Sequence, residues 1–354
     1  DPLLNKKKLK KKIFNVVDKK RFILGKEVNI LENKLSNFVN SKYAITVSSG
    51  TDALLISLLS LNLKKNSEVI TPSFSYISSA EVIVRAGLKP VFCDVDLSTA
   101  LIDTKKVEKL INKNTSCIIV VSLFGQIPDV QNLIKIKKKY KIPIIEDGAQ
   151  SFGSKYKNQK SCSIFNIGCT SFFPTKPLGC FGDGGAVFTN DNALAEKIKS
   201  LRLHGSIKRY THKYIGLGGR LDSLQAAVLN VKLKYYNQDI IKRQNVAEYY
   251  NIMLKNLLLF LNYLLSLNKT NWAQKLDTPP YRAFPVTGGI TFTYGGVKVD
   301  TQGCVVSENN TAIEGLYACG EMVGGVFFGG YPGGSGLTSG TVFGRKAGLG
   351  AAIT

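Results

Sequence analysis

The sequence predicts an α/β fold over its first two-thirds, and three observations carry that prediction. Short apolar, β-branched runs recur from about residue 25 to 245. Longer amphipathic segments separate them, which is the signature of a sheet flanked by helices. The chain has 354 residues of 44% hydrophobic composition, enough to bury one large core or two ordinary ones.

In chain order, strands are expected at residues 43–47, 68–71, 89–93, 117–121, 143–146, 169–173 and 185–189, each rich in Val, Ile, Phe or Cys and bounded by polar or turn residues. Helices fill the intervals, for example at 52–61, 130–139 and 192–201. The texture then changes. A leucine-rich stretch at 257–267 leads into a glycine-dense segment, and 18 of the 33 glycines lie between Gly288 and Gly350. This places a first domain at 1–255, a junction at 256–267 and a tail at 268–354, the tail reading as short strands and tight turns that end in a helix near 340–352.

The formal charge is +22, but from residue 269 onward six Lys or Arg face five Asp or Glu, so the excess belongs to the first part. There the lysines spread over many helix faces without aromatic interleaving, as on a solvated exterior rather than a nucleic-acid surface. Seven dispersed cysteines without a C-x-x-C pair, with only two histidines, argue against a zinc site or disulfide framework and fit a reducing cytoplasm. No apolar run reaches the roughly 18 residues of a membrane span. The basic segment 6–12 lacks the apolar core of a secretory signal. A cytoplasmic protein is expected, with no membrane and no nucleic acid among its partners.

Three segments carry chemistry. At Ser48-Ser49-Gly50-Thr51-Asp52 a strand runs through small residues into a helix, whose free N–H groups and dipole suit a phosphate; a plain Ser or Thr helix cap is the alternative. The apolar strand at 143–146 leads to Asp147 and Gln150 at the carboxyl edge of a sheet, where α/β folds place ligands. A carboxylate there holds a pyridine nitrogen protonated, making the ring an electron sink, or else caps a helix. In Ser171-Phe172-Phe173-Pro174-Thr175-Lys176-Pro177, the lysine stands in an apolar, stiff setting whose burial favours the free amine that attacks an aldehyde.

In this order the segments resemble the DegT/StrS-type nucleotide-sugar aminotransferases, a branch of the fold-type-I pyridoxal-phosphate enzymes, over about residues 20–250. The resemblance also includes Thr71-Pro72-Ser73-Phe74-Ser75-Tyr76, Phe124-Gly125-Gln126, His204-Gly205 and Arg220-Leu221-Asp222-Ser223-Leu224-Gln225. It implies a mixed, mostly parallel seven-stranded sheet and a homodimer. It implies pyridoxal 5'-phosphate in Schiff-base linkage to Lys176, with Asp147 on the pyridine nitrogen and Tyr76 stacked on the ring. Gln150 would lie near the phenolic oxygen, and Gly50, Thr51 and Ser171 at the phosphate. An amino donor, commonly glutamate, would supply nitrogen to a keto group of a nucleotide-linked sugar. Where family members carry an asparagine that reaches the phosphate of a partner subunit, this chain has Gly218.

From about residue 268 the tail resembles instead the carboxyl end of FAD-dependent oxidoreductases of the fumarate reductase and tricarballylate dehydrogenase type, on Asp277-Thr278-Pro279-Pro280, the strand into Gly320-Glu321, and Gly333-Gly334-Ser335-Gly336-Leu337. That resemblance implies FAD contacts at Glu321, Ser335, Gly336 and Leu337. The chain has no G-x-G-x-x-G after a strand to hold the FAD pyrophosphate. The sequence thus reads as a chimera of one family's front and another's back, and an FAD-dependent oxidoreductase or an inactive chimera stands as the alternative to the aminotransferase.

Overall fold

The computed structural model describes residues 6–266, 298–307, 309, 311–319, 344–346 and 348–349, with side chains in the long helix described as far as residue 253. The chain divides into two compact units, Asp1–Leu257 and Leu258–Thr354.

In the first unit, helices α1 (Lys6–Lys19) and α2 (Lys26–Val39) precede β1 (Tyr43–Val47) and α3 (Gly50–Ser60). Then come β2 (Glu68–Pro72), α4 (Ser78–Arg85), β3 (Lys89–Cys93), α5 (Thr104–Leu110), β4 (Thr115–Val121), α6 (Val130–Tyr140) and β5 (Ile144–Asp147). A small hairpin of β6 (Lys155–Tyr156) and β7 (Gln159–Lys160) leads to β8 (Ile167–Ser171), β9 (Gly185–Thr189) and α7 (Asn192–Leu201). A second hairpin, β10 (Ser206–Lys208) with β11 (Thr211–His212), precedes α8 (Ser223–Lys232) and α9 (Tyr236–Ser266). Helix α9 reaches Ser266, within the leucine-rich stretch that the sequence marks as a junction.

Seven strands form one sheet in the order β1-β9-β8-β5-β4-β2-β3. Only β9 runs against its neighbours; the other pairs are parallel. Because successive strand residues point to opposite faces, each strand feeds two cores. Ile45, Ile119, Ile145 and Val187 pack with α3, α4 and α7 on one face. Ile118, Val120 and Ile144 pack with α5 and α6 on the other, and Ala44, Ala186 and Phe188 meet α2 and α8 beside them. Ile145 is fully buried, which stabilises the fold by about 1.5–3 kcal/mol.

The parallel strands β2, β4, β5 and β8 end along one edge. Register puts Asp147, the last residue of β5, beside Val121 of β4 and Cys169 of β8. Asp147 therefore shares the face of Ile145, toward α3, while Glu146 shares the face of Ile144.

In the second unit, β12 (Cys304–Val306) pairs antiparallel with β13 (Ala312–Tyr317), and residues 344–346 and 348–349 are helical. Glu321, Ser335, Gly336 and Leu337 lie outside the described residues.

Candidate active site at the carboxyl edge of the sheet

At that edge lies a cavity of about 400 Å³. The structure brings all seven residues singled out in the first part into its lining: Gly50 and Thr51 from α3, Tyr76 ahead of α4, Asp147 and Gln150 after β5, and Ser171 and Lys176 after β8. It also brings in Ser75, Ser78, Phe173 and Asp183, which sequence reasoning passed over.

The α3 end of the cavity is built for close approach. Ser49 caps the helix by accepting the Asp52 N–H at 3.0 Å, which leaves the first-turn N–H groups of Gly50 and Thr51 without intrahelical acceptors. A Cβ on Gly50 would sit 2.7 Å from the Ser171 Cβ, and one on Gly185 would sit 2.4 Å from the Ser49 carbonyl oxygen. Only glycine at both positions lets the turn lie between the end of β8 and the start of β9.

Asp147 is 7% exposed and accepts one hydrogen bond, from the Ala149 N–H to Oδ1 at 3.0 Å. Burial pushes its carboxyl above the usual carboxylate range, against the Ala149 hydrogen bond and the Lys176 charge, which lower it. A cationic ring nitrogen placed against its other oxygen would reverse that burial penalty. Gln150 Oε1 accepts the Phe124 N–H at 2.7 Å, so its amide NH2 is the end left to donate. The residue it holds, Phe124, has φ 55°, an uncommon conformation for a bulky side chain.

Lys176 does not sit as the sequence suggested. Strand β8 ends at Ser171, and the chain turns outward through exposed Phe173, Pro174 and Thr175, closing a turn from the Lys176 N–H to the Phe173 carbonyl at 2.9 Å. The lysine is half-buried at the cavity wall, because the two prolines lie in a surface turn rather than a core strand. The position opens the lysine side chain to the cavity.

Glu146, behind the site, is fully buried. Its Oε1 accepts from Ser122 Oγ at 2.8 Å and Ser161 Oγ at 2.6 Å, and its Oε2 from the Cys162 N–H at 2.8 Å. These bonds tie the ends of β4 and β5 to the loop before β8. Burial raises its carboxyl too.

Gly218, where the resemblance led us to expect asparagine, is exposed; a Cβ there would stand 3.1 Å from His204 Nε2. Among the described residues no group of three or more His, Cys, Asp or Glu side chains could hold a metal ion, and no helix is long and apolar enough to cross a membrane. Six of the seven cysteines are buried and all seven are free; burial pushes the Cys117 thiol up to about 12.

The donor set fits pyridoxal phosphate: a helix start relieved of side chains at Gly50, a buried carboxylate with one oxygen to spare, and an accessible amine in the same cavity.

Comparison with known proteins agrees. The profile of the DegT/DnrJ/EryC1/StrS aminotransferase family matches residues 4–275, which extends the resemblance at both ends and into the first residues of the tail. The chain is 48% identical over 235 residues to the UDP-2-acetamido-2-deoxy-3-oxo-D-glucuronate aminotransferase of Pseudomonas aeruginosa, covering 66% of this chain and 66% of that protein. It is 39% identical over 250 residues to the dTDP-3-amino-3,6-dideoxy-alpha-D-galactopyranose transaminase of Aneurinibacillus thermoaerophilus, covering 71% and 69%. The matched part thus spans about two-thirds of these relatives. Among solved structures, a family aminotransferase from Brucella abortus superposes with a TM-score of 0.69 at 37% identity, over 71% of this chain and 69% of that one. A Bacillus subtilis protein with bound cofactor PMP superposes with a TM-score of 0.67 at 30% identity, over 71% and 58%. Fold, cavity and matched sequence converge: the chain belongs to the DegT/DnrJ/EryC1/StrS aminotransferase family.

Proposed function

We propose that the chain is a pyridoxal-phosphate-dependent aminotransferase that moves an amino group from glutamate to a keto group of a nucleotide-linked sugar. The observation that carries this reading is the meeting of Lys176, Asp147 and the α3 start with Ser171 in one cavity. Named relatives act on UDP- and dTDP-linked sugars, which supports the substrate class.

When bound, the cofactor supplies an electron sink and a carrier for nitrogen. The Lys176 amine would anchor the cofactor and is the group in the cavity that would carry a substrate proton. Asp147 would pair with the pyridine nitrogen, Gln150 would donate to the phenolic oxygen, and Tyr76 would pack on the ring. Gly50 and Thr51 N–H groups with Ser171 Oγ would hold the phosphate.

The active enzyme is a homodimer in this reading, supported by large apolar side chains left exposed beside the cavity, among them Phe74, Tyr76 and Phe124. The tail's likeness to flavoproteins rests on the sequence resemblance alone and adds no second function to the reading.

Half-reactions test it. Protein loaded with pyridoxal phosphate and given glutamate alone should release about one 2-oxoglutarate per subunit and stop. Adding a nucleotide-linked keto sugar should restart release and aminate the sugar. No 2-oxoglutarate from the loaded protein would refute the proposal.

A further inference from the structure

Lys176 sits on a closed loop at the end of β8. The Cys180 N–H donates to the Phe172 carbonyl at 2.8 Å, which ties off residues 173–179. On the outer limb Phe173, Pro174 and Thr175 are exposed, so the residues leading to the lysine have little packing to hold them. On the returning limb Leu178, Gly179 and Cys180 are buried. The limbs touch: a Cβ on Gly179 would stand 2.4 Å from the Pro174 carbonyl oxygen. A shift of the returning limb is therefore passed to the outer one.

Helix α8 grips the returning limb at two points. Gln225 Oε1 accepts the Phe181 N–H at 2.8 Å, and Lys232 Nζ donates to the Gly179 carbonyl at 2.7 Å. The same Nζ lies 5.1 Å from the centroid of the Phe181 ring. Gln225 and Lys232 stand about two helical turns apart and so leave one face of α8. The helix is itself fixed, because Ser223 Oγ accepts the Gly25 N–H at 3.0 Å and Asn230 Nδ2 donates to the Glu27 carbonyl at 2.8 Å. Neither Gln225 nor Lys232 belongs to the cavity lining. A reacting amine is sensitive to where its backbone stands, since a misplacement of about 1 Å can cost on the order of 10²-fold. We propose that Gln225 and Lys232 are positioning residues that act through Phe181 and Gly179 to set where Lys176 stands, and so favour its link to the cofactor. This inference rests on the proposed function.

The test uses the full-length protein, freed of cofactor, and two probes titrated by calorimetry. Pyridoxal phosphate has an aldehyde that condenses with the lysine amine and releases one water. Pyridoxamine phosphate carries an amine there instead and binds without a lysine link. In the double variant Gln225→Leu with Lys232→Met, half-saturation by pyridoxal phosphate should rise about tenfold, equivalent to ~1.4 kcal/mol. Half-saturation by pyridoxamine phosphate should stay unchanged. Gln225→Glu with Lys232→Arg, which keeps an acceptor and a donor at the two points, should keep the wild-type pyridoxal phosphate curve. An unchanged pyridoxal phosphate curve in the Leu–Met variant overturns the positioning role. So does an equal rise for both probes, the mark of a generally loosened fold, or a Glu–Arg variant that behaves like the Leu–Met one. Should the double variant fail to fold, Gln225→Leu alone is read by the same two curves, and the same outcomes overturn the role. A wild type that shows no lysine-linked absorbance band with pyridoxal phosphate overturns the proposed function, and the positioning role with it.

Discussion

Asp147 and Glu146 are consecutive carboxylates that the pleat of β5 sends to opposite faces, one to the cavity and one to a closed network of Ser122, Ser161 and the Cys162 N–H. Burial raises both, with different consequences. For Glu146, the folded state favours the protonated carboxyl, so its contribution is fully present below the unfolded value of about 4.3 and is lost as pH rises through the raised folded value. The stability of wild type relative to Glu146→Gln should accordingly fall as pH is raised from about 4, as followed by urea unfolding at a series of pH values. A difference that grows with pH would contradict this. Gly50→Ala should cost about 1–3 kcal/mol and weaken cofactor binding, since the new Cβ meets Ser171 atoms and the turn is held between two strands; urea unfolding and cofactor titration read both effects. At this scale the sequence exposed residues with chemistry of their own. Lys176, Asp147 and the Gly50 turn stood out by type and position, but the half-buried setting of Lys176 depends on where β8 ends. Ser75 looked like an ordinary turn residue, because only the fold shows that its hydroxyl is buried without a partner.

Among elements, the seven strands of the sheet were legible because each is an apolar, largely β-branched or aromatic run, and buried strands must be. Their ends moved by a few residues, as for β8, where Phe172 and Phe173 continue the apolar run after pairing stops. The hairpins β6–β7 and β10–β11 were not legible: Lys155, Gln159, Lys160 and Lys208 carry no apolar signal, and pairing alone makes them strands. Long-range polar ties were equally hidden. Glu32 of α2 accepts from Arg202 Nη1 at 2.5 Å and from the Thr46 N–H and hydroxyl at 2.9 Å, linking α2, β1 and the end of α7 in a nearly buried cluster. Glu32→Ala leaves that guanidinium buried and unpaired and should cost about 3–5 kcal/mol in urea unfolding. By comparison Asp191→Ala, which removes only the α7 cap on Leu194, should cost about 1 kcal/mol and leave cofactor binding intact.

For the whole molecule, the family match to residues 4–275 and the division at Leu257–Leu258 describe the chain in different terms, one by ancestry and one by compactness. The aminotransferase signature was readable because cofactor chemistry fixes residue types at separated positions that the topology then gathers at one sheet edge. Assembly was expected from the resemblance alone, since dimerisation depends on surface shape that no local pattern records. If the proposed dimer forms, light scattering on the purified protein should give twice the 38.7 kDa chain mass, and a monomer mass would exclude a shared active site. The central claim is narrower than assembly or substrate: Lys176 is the residue that holds the cofactor. Incubating the protein with pyridoxal phosphate, reducing with borohydride and mapping the adduct by peptide mass spectrometry tests it directly. A pyridoxyl adduct on Lys176 that disappears in Lys176→Ala is the predicted result; an adduct on another lysine, or one that persists in that variant, would contradict it.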